Sequence, residues 1–320
     1  MWSTRWRPMS VLASSAVSNE VPVAWRALRA EIVRALADAG VNSAETEARF
    51  IVERASGYEA TEWLEIADAA PTPRAEHAAR EMSRRRVTGE PLQYVLGGWG
   101  FRDLDLFVDP RVLIPRPETE YLVEVALEEA ARAGLRRARS RATVGGPVKA
   151  VVADIGTGSG AIAISLAAEL PDVEVWATDV SDDALAVARA NVAGSAATRV
   201  RIAEAGEWFD PLPPALRGAL RLIVSNPPYV AEHEFGDLPR EVSGYEPRRA
   251  LVSGPSGTES IETLLELAPG WLARGGSFVC EIAPHQAATM GARARELGYR
   301  DVAVRDDLTG RPRVLVARAD

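Results

Sequence analysis

The sequence predicts an α/β protein with a doubly wound, mostly parallel sheet, preceded by a small bundle of helices. Three observations lead to this prediction. Residues 22–86 show only helical periodicity, residues 90–115 alternate apolar and polar positions, and from Val148 onward short apolar stretches alternate with helical ones. Alternating strands and helices are typical of a sheet covered by helices on both faces.

Four helices are expected near the N-terminus. The first, WRALRAEIVRALADAG, has Leu28, Ile32 and Leu36 at helical spacing, and Gly40 is a stop signal. The second, AETEARFIVERASG, ends at Gly57, and two more are predicted from EWLEIADAA and PRAEHAAREMSRRRVTG. Together they predict a helical domain.

A β-hairpin linker is expected next, because residues 90–115 alternate around Gly97-Gly98. The following segment, PETEYLVEVALEEAARAG, predicts a helix with Pro117 in its first turn. The predicted divisions are a disordered tail at 1–20, a helical domain at 21–88, the linker at 89–115 and an α/β domain at 116–320.

The α/β domain contains seven candidate strands. They are KAVVADIG, EVWATDV, RVRIAEA, LRLIVSNPPY, GGSFVCEIA, DVAVRDD and RVLVARA, with SGAIAISLAAEL and SDDALAVARANVAG as the clearest helices between them. In the second of these helices, Asp182 or Asp183 is the expected N-cap.

Composition excludes several classes of protein. The 320 residues include one cysteine, Cys280, and three dispersed histidines, His77, His233 and His285, so neither an intrachain disulfide nor a metal cluster is expected. No apolar run is long enough to span a bilayer, and a net charge of −8 disfavours non-specific nucleic-acid binding. We expect a cytoplasmic monomer. The basic stretch at 131–149 is interpreted as a solvated surface loop, and Cys280 as a buried structural thiol.

A glycine-rich turn follows the first strand of the α/β domain, in VVADIGTGSGAIAISLA. The strand ends at Asp154, and Gly156, Gly158 and Gly160 open the next helix. Glycine allows a sharp turn and close approach of the backbone to a ligand. Ala161 breaks the G-x-G-x-x-G spacing of dinucleotide-binding folds. Asp179, at the end of the next strand, can accept both hydroxyls of a ribose, which indicates a nucleoside without identifying it.

The most informative motif is NPPY, Asn226 to Tyr229, at the carboxyl end of the fourth strand. Each proline fixes its own φ and pushes its predecessor toward extended geometry, so the carbonyls of Asn226 and Pro227 are oriented in advance. The Asn226 side chain adds an acceptor, and Tyr229 adds a flat ring. Such a group suits a planar nitrogen with two N–H donors, whose weak nucleophilicity calls for orientation and electrostatic polarisation.

DIGTGSG, Asp179 and NPPY together resemble class I S-adenosylmethionine-dependent methyltransferases that act on amide or exocyclic nitrogen. The linker EPLQYVLGGWGFRDLDLFVDPRVLIPRPETE, together with YEPRRAL, GGSFVCEIAPHQ and GRPRVLVAR, resembles the release-factor glutamine methyltransferase family, called PrmC or HemK. The resemblance covers roughly residues 25–318.

This resemblance implies a Rossmann-like seven-stranded sheet with an antiparallel last strand, and an N-terminal domain that recognises the protein substrate. It implies methyl transfer from S-adenosyl-L-methionine, leaving S-adenosyl-L-homocysteine, to the glutamine N5 of the Gly-Gly-Gln motif in class I peptide chain release factors, with an effect on translation termination. Residues 156–160 would hold the methionine part of the cofactor, Asp179 the ribose, and Trp208 would lie beside the adenine.

The site predictions follow from the motifs and the resemblance. The predicted cofactor-binding residues are Asp154, Gly156, Thr157, Gly158, Ser159, Gly160, Asp179, Glu207, Trp208 and Asn226. The predicted substrate-binding residues are Asn226, Pro227, Pro228, Tyr229, Arg116 and Glu118, with Asn226, Pro227 and Tyr229 also catalytic. Arg116, Glu118, Thr119 and Glu120 are expected at the mouth of the site, although Glu118 and Glu120 could simply favour a helix N-terminus.

Three positions depart from the family pattern. Glu207 stands where aspartate is usual, Ala283 replaces a common glycine, and the loop at 131–147 is longer. The first departure leaves the contact with the adenine amine open.

Three alternatives remain. An N-methyltransferase for adenine or guanine in DNA or ribosomal RNA shares NPPY but would need a basic face or a target-recognition domain. An NAD-dependent oxidoreductase would have no use for NPPY. A non-catalytic module would bind the cofactor or release factor without turnover.

Overall fold

The computed structural model describes residues 23–138 and 147–320 of the chain. The predicted tail at 1–20 and the centre of the basic stretch at 131–149 lie outside the described residues. The chain divides into two compact units, Met1–Arg84 and Arg85–Asp320.

The first unit is helical, as the sequence predicts. Its helices are α1 (Trp25–Asp38), α2 (Ala44–Ser56), α3 (Trp63–Ile66) and the beginning of α4 (Pro73–Val87). The apolar positions that predict α1, including Leu28, Ile32 and Leu36, are buried. Gly57 ends α2 in the left-handed region at φ 75°, which glycine adopts without the steric cost of a Cβ atom.

A short helix and a hairpin open the second unit, and here the predicted turn is wrong. Gly97, at φ 67°, ends the helix α5 (Leu92–Leu96). The hairpin pairs β1 (Trp99–Phe101) with β2 (Leu104–Leu106), so its turn lies at residues 102–103. Arg102 tolerates a φ of 51° there, because its amide and guanidinium bind Glu120, Glu124 and Glu169. These contacts are distant in sequence, whereas Gly97-Gly98 offers only a local signal.

The rest of the second unit consists of a seven-stranded sheet, its helices and a small two-stranded ladder. The helices are α6 (Pro117–Arg132), α7 (Ala161–Glu169), α8 (Asp182–Ser195), α9 (Arg240–Ser243), α10 (Glu259–Leu267) and α11 (Ala287–Glu296). The strands of the sheet are β3 (Ala150–Ile155), β4 (Val173–Thr178), β5 (Val200–Ile202), β6 (Leu220–Ser225), β9 (Leu272–Glu281), β10 (Arg300–Asp306) and β11 (Pro312–Arg318). A separate parallel pair joins β7 (Val230–Ala231) to β8 (Val252–Gly254).

The strand order is β10-β11-β9-β6-β3-β4-β5. Strand β11, the last in the chain, runs antiparallel to β9 and β10, while β9, β6, β3, β4 and β5 are mutually parallel. The order reverses at β3, where the chain moves first toward β5 and later toward β9. Ligands bind at such a switch point, outside the carboxyl ends of the strands.

The side chains of each strand lie alternately on the two faces of the sheet, because successive side chains of a strand point in opposite directions. Val152 and Val224 pack with α6 and α7 on one face. Ile155 and Phe278 pack with α10 and α11 on the other. Cys280 is buried in this second cluster, and the structure confirms its prediction as a buried thiol.

The N-cap prediction for α8 is wrong by one residue. The cap is Ser181, whose Oγ accepts a hydrogen bond from the Ala184 amide. Asp182 and Asp183 occupy the first turn, where their negative charges suit the helix dipole.

The described residues form neither a membrane-spanning helix nor a metal-binding cluster. None of their helices combines the length and apolarity that a membrane crossing requires. They also contain no group of three or more histidine, cysteine or acidic side chains placed to hold a metal ion.

A buried ion-pair cluster joins α6 to the sheet. Glu129 accepts hydrogen bonds from Arg318 at 2.7 Å, Ser277 at 2.7 Å and Arg132 at 2.9 Å. Burial alone would raise the pKa of Glu129, but these hydrogen bonds lower it to about 2.

We predict that Glu129→Gln lowers the free energy of unfolding by on the order of 2–4 kcal/mol, because it removes a buried carboxylate and leaves the partly buried Arg318 without its charge partner. The neighbouring Glu128→Gln is the control, since Glu128 pairs with Arg305 while half exposed and should cost under about 1 kcal/mol. Denaturant melts measure both.

The same carboxylate gives a pH dependence. A depressed pKa in the folded state means that the stabilisation is complete above the ordinary value near 4.5 and is lost as pH falls toward about 2. The difference in stability between wild type and Glu129→Gln should therefore shrink over that range. A difference independent of pH would contradict the assignment.

Candidate active site

A cavity of about 300 Å³ lies at the carboxyl edge of the sheet. Ten of the predicted site residues line it: Arg116, Gly156, Thr157, Gly158, Ser159, Asp179, Glu207, Trp208, Asn226 and Pro228. Five do not: Asp154, Gly160, Glu118, Pro227 and Tyr229. The motifs identified along the chain therefore converge on one site, with some members behind its wall.

The glycine-rich turn between β3 and α7 is held in a fixed shape. Gly156 and Gly158 have φ of 76° and 54°, and the amides of Gly156 and Thr157 both donate to the Thr178 carbonyl. A Cβ atom added at Gly156 or Gly158 would meet no described atom within 4 Å. The backbone thus faces open space that a ligand can approach closely.

Asp154 supports this turn from behind. It is fully buried and accepts hydrogen bonds from the Thr157 hydroxyl at 2.6 Å and the Ala163 amide at 3.0 Å. Burial raises its pKa to about 7, although these two donors act in the opposite direction. Because Asp154 does not reach the cavity, the structure gives it the role of shaping the turn.

Asp179 lies directly after β4, on the cavity wall. Its Oδ2 accepts from the Gly158 amide at 2.9 Å and its Oδ1 from the Ser181 amide at 3.0 Å. Burial raises its pKa above the usual value, with these amides opposing. The carboxylate is oriented in advance and retains lone pairs for further donors.

The neighbouring wall is formed by Glu207 and Trp208. Trp208 has a φ of 44°, and its carbonyl accepts a hydrogen bond from the Thr178 hydroxyl at 2.8 Å. This contact fixes the unusual backbone of Trp208 against β4.

The NPPY segment leaves β6 and is clamped at both ends. At its start, Ser225 donates from Oγ to the Ile155 carbonyl at 2.6 Å, and Asn226 donates from Nδ2 to Thr119 Oγ1 at 3.0 Å. At its end, the Tyr229 carbonyl accepts from Gln286 Nε2 at 2.9 Å. No described residue donates to Asn226 Oδ1 or to the carbonyls of Asn226 and Pro227, so these acceptors remain available.

The structure places Tyr229 differently from the flat stacking face predicted from sequence. Its ring packs against the apolar cluster on the α10–α11 side of the sheet, and its hydroxyl donates to Glu281 Oε1 at 3.3 Å. Burial and the adjacent Glu281 raise the pKa of Tyr229. Tyr229 therefore anchors the segment.

The residues of the segment PRPETE, 115–120, lie in two different places. Arg116 and Thr119 line the cavity, and Arg116 pairs with the buried Glu246. Glu118 is exposed at the beginning of α6, and Glu120 accepts a hydrogen bond from the Arg102 amide in the hairpin turn.

Two buried polar residues near the site were missed in the sequence. Glu281 ends the apolar strand SFVCE and accepts a hydrogen bond from Thr119 at 2.8 Å. Gln286 joins the carbonyls of Tyr229 and Gly257, each at 2.9 Å. A carboxylate inside an apolar strand, at its carboxyl end, was the available signal for Glu281.

Comparisons with known proteins place these features in context. The family model for the PrmC N-terminal domain matches residues 27–97, and the model for the methyltransferase small domain matches residues 142–239. A release factor glutamine methyltransferase from Bordetella pertussis is 40% identical over 284 residues, 87% of this chain and 96% of the relative. Another from Deinococcus radiodurans is 37% identical over 293 residues, 92% of this chain and 98% of the relative.

Among solved structures, the hMettl16 catalytic domain in complex with MAT2A 3′UTR hairpin 6 is similar, with a TM-score of 0.50 and 17% identity. That match covers 77% of this chain and 81% of the structure. At this identity the likeness establishes the methyltransferase fold alone. Since that relative is bound to RNA, the fold does not distinguish a protein from a nucleic-acid substrate.

Gly257 lies against the NPPY segment and allows a direct prediction. It has a φ of 82°, and a Cβ atom there would lie 2.8 Å from the Tyr229 carbonyl and 2.9 Å from the Ala231 amide. We predict that Gly257→Ala displaces this segment and speeds hydrogen exchange of the Val230 amide, which donates to the Leu251 carbonyl.

Gly298→Ala is the matched control. Its φ is 88°, and no described atom lies within 4 Å of an added Cβ, so it carries only the left-handed cost of roughly 1–2 kcal/mol. Equal effects of the two substitutions on Val230 exchange would contradict the clamped geometry.

Proposed function

The chain belongs to the release factor glutamine methyltransferase family, and we propose that it methylates the side-chain amide nitrogen of the glutamine in the Gly-Gly-Gln motif of class I release factors. S-adenosylmethionine would supply the methyl group. The observation that carries the proposal is the NPPY segment, which is clamped at both ends while no described residue donates to Asn226 Oδ1 or to the carbonyls of Asn226 and Pro227. Of these two residues, Asn226 lines the cavity.

Three features of the cavity support this cofactor. Gly156 and Gly158 present open backbone where a methionine moiety would lie, and Asp179 offers an oriented carboxylate to two ribose hydroxyls. Trp208 and Glu207 also line the cavity and would contact the adenine ring. Glu207 keeps the charge of the usual aspartate.

The chain's own contribution to the reaction is orientation. A carboxamide nitrogen is a poor nucleophile because its lone pair is delocalised, and it presents two N–H donors in one plane. Asn226 Oδ1 and the Pro227 carbonyl are acceptors fixed before the substrate arrives, so binding costs little further ordering. Fixing the nitrogen in place and polarising its N–H bonds accelerate methyl transfer. The nitrogen loses its proton after the methyl group has been transferred.

The first unit is proposed to contact the release factor outside the reacting loop. The support is the match of residues 27–97 to the PrmC N-terminal domain. A helical unit separate from the catalytic cavity can add affinity for the protein substrate without altering the contacts to the glutamine.

A transfer assay with isotopically labelled S-adenosylmethionine tests the substrate class. Purified release factor is expected to be labelled, whereas duplex DNA and ribosomal RNA are not. The net charge of −8 supports this expectation. Label in nucleic acid and none in release factor would favour the adenine or guanine alternative.

We predict that Asp179→Ala weakens S-adenosylmethionine binding about tenfold or more, since hydrogen bonds to a charged acceptor contribute about 1.5–3 kcal/mol each. Calorimetry measures the dissociation constant. Asp182→Ala removes the same charge from an exposed position nearby and should leave affinity unchanged. If the two substitutions have equal effects, Asp179 is not the ribose ligand.

We predict that Asn226→Ala lowers turnover by on the order of 100-fold, because a displacement of about 1 Å in the reacting nitrogen has that effect. Affinity for S-adenosylmethionine should fall far less than turnover, because Asn226 is not proposed to make the main contacts to the cofactor. Tyr229→Phe keeps the packed ring and should be much milder than Tyr229→Ala. Near wild-type turnover in Asn226→Ala would overturn the proposed mechanism.

A further inference from the structure

Glu281 is a buried carboxyl group that the proposed mechanism does not use. It is fully buried at the carboxyl end of β9 and does not line the cavity. Burying a carboxylate is costly unless each oxygen is hydrogen-bonded. Its position behind the site therefore needs an explanation beyond packing.

Both oxygens of Glu281 face residues that act on the NPPY segment. Oε2 accepts from the Thr119 hydroxyl at 2.8 Å, and Oε1 accepts from the Tyr229 hydroxyl at 3.3 Å. Among the described residues no cation forms an ion pair with Glu281, and Arg313 pairs instead with Asp307. The carboxylate is thus satisfied by two hydroxyls, one from α6 and one from NPPY.

The Thr119 hydroxyl has a single hydrogen atom, and this decides the orientation of Asn226. Because that hydrogen is donated to Glu281, Thr119 Oγ1 can only accept from Asn226. Asn226 must then direct Nδ2 toward Thr119, as the 3.0 Å contact shows, and Oδ1 points away. A flipped amide would place two acceptor oxygens against each other.

We propose that Glu281 is a positioning residue for methyl transfer, and that its carboxylate acts through the Thr119 hydroxyl to hold Asn226 with Oδ1 facing the acceptor nitrogen. This inference rests on the proposed function. The relay Glu281–Thr119–Asn226 makes the catalytic acceptor depend on a group outside the cavity.

The relay should respond to pH near neutrality. Burial raises the pKa of Glu281 to about 7, opposed by Thr119, Arg313 and Tyr229. The charged or titratable groups that face it are Glu118 on α6, Tyr229 on NPPY, Arg313 on β11 and Cys280 on β9. A protonated Glu281 can donate to Thr119 Oγ1, which frees the Thr119 hydrogen to bind Asn226 Oδ1.

Because Glu281 ionises around pH 7, turnover should be full well above pH 7, fall through pH 7 as Glu281 becomes protonated, and be lowest on the acid side. Asp154 also has a pKa of about 7, so the wild-type profile alone does not identify the group. The Glu281→Gln variant separates the two, because only the Glu281 contribution disappears.

The experiment is a double-mutant cycle of Glu281→Leu, which leaves the Thr119 hydroxyl without its acceptor, Thr119→Val and the double variant. It measures turnover on release factor, S-adenosylmethionine affinity and melting temperature. Each single variant should lower turnover about tenfold, a smaller loss than that from removing a reacting contact outright. The turnover of the double variant should be no lower than that of the less active single variant, because both substitutions break the same relay. The acid-side fall in turnover should be reduced in Glu281→Gln.

A second readout does not depend on turnover. The side-chain amide protons of Asn226, observed by ¹H–¹⁵N NMR, should exchange slowly with solvent in wild type, because Nδ2 donates to Thr119 Oγ1. This protection should be lost in Thr119→Val, and when Glu281 is replaced by leucine or protonated. Cys280→Ala is the control for disturbing β9, because Cys280 packs in the apolar cluster; it should lower stability and leave turnover and the Asn226 signals unchanged.

Additive losses in the cycle, losses that follow melting temperature, or an unaltered Asn226 amide in Glu281→Leu would each overturn the inference. Wild-type protein that leaves release factor unmethylated but shows the relay in the Asn226 signals would contradict the proposed function and support the relay. The two failures are therefore distinguishable.

Discussion

Parallel pairing of β9, β6, β3 and β4 is the constraint on which the site depends. Because these strands run in the same direction, their carboxyl ends meet at one edge, and each end carries a polar residue of the site. Glu281 ends β9, Asn226 follows β6, Asp154 lies near the end of β3 and Asp179 follows β4. Reversal of the strand order at β3 opens the edge into a cavity.

This concentration of polar groups in a buried layer has an energetic cost that local hydrogen bonds offset in part, since Asp154 Oδ1 has no donor among the described residues. Asp154 and Glu281 are both fully buried, and burial raises the pKa of each to about 7. Their donors come from the turn and helix that must be shaped, Thr157 and Ala163 for one, Thr119 and Tyr229 for the other. The groups that would destabilise the core thus fix the geometry of the cofactor turn and the NPPY segment.

The sequence predicted those parts of the architecture that depend on a short stretch of the chain. Apolar strands, the glycine turn, Asp179 and NPPY are each contained in a few residues. The structure confirms the strands and places the other three at one edge of the sheet, while their roles in binding stay predictions. The hairpin turn was misplaced because Arg102 is held by partners far along the chain. Glu281 and Gln286 were not predicted as site residues for the same reason. The Thr119–Glu281 contact spans 162 positions, and the Gln286–Tyr229 contact spans 57. The position of the Tyr229 ring against the apolar cluster likewise depends on a distant partner, because its hydroxyl donates to Glu281.

The central claim is that fixed oxygens of Asn226 and Pro227 hold the substrate amide. A crystal structure of the protein with S-adenosylhomocysteine and a release-factor Gly-Gly-Gln peptide tests it most directly. The account predicts that the glutamine side-chain nitrogen donates to Asn226 Oδ1 and to the Pro227 carbonyl, with Asn226 Nδ2 still on Thr119. A glutamine bound elsewhere, or an Asn226 amide flipped away from Thr119, would contradict it.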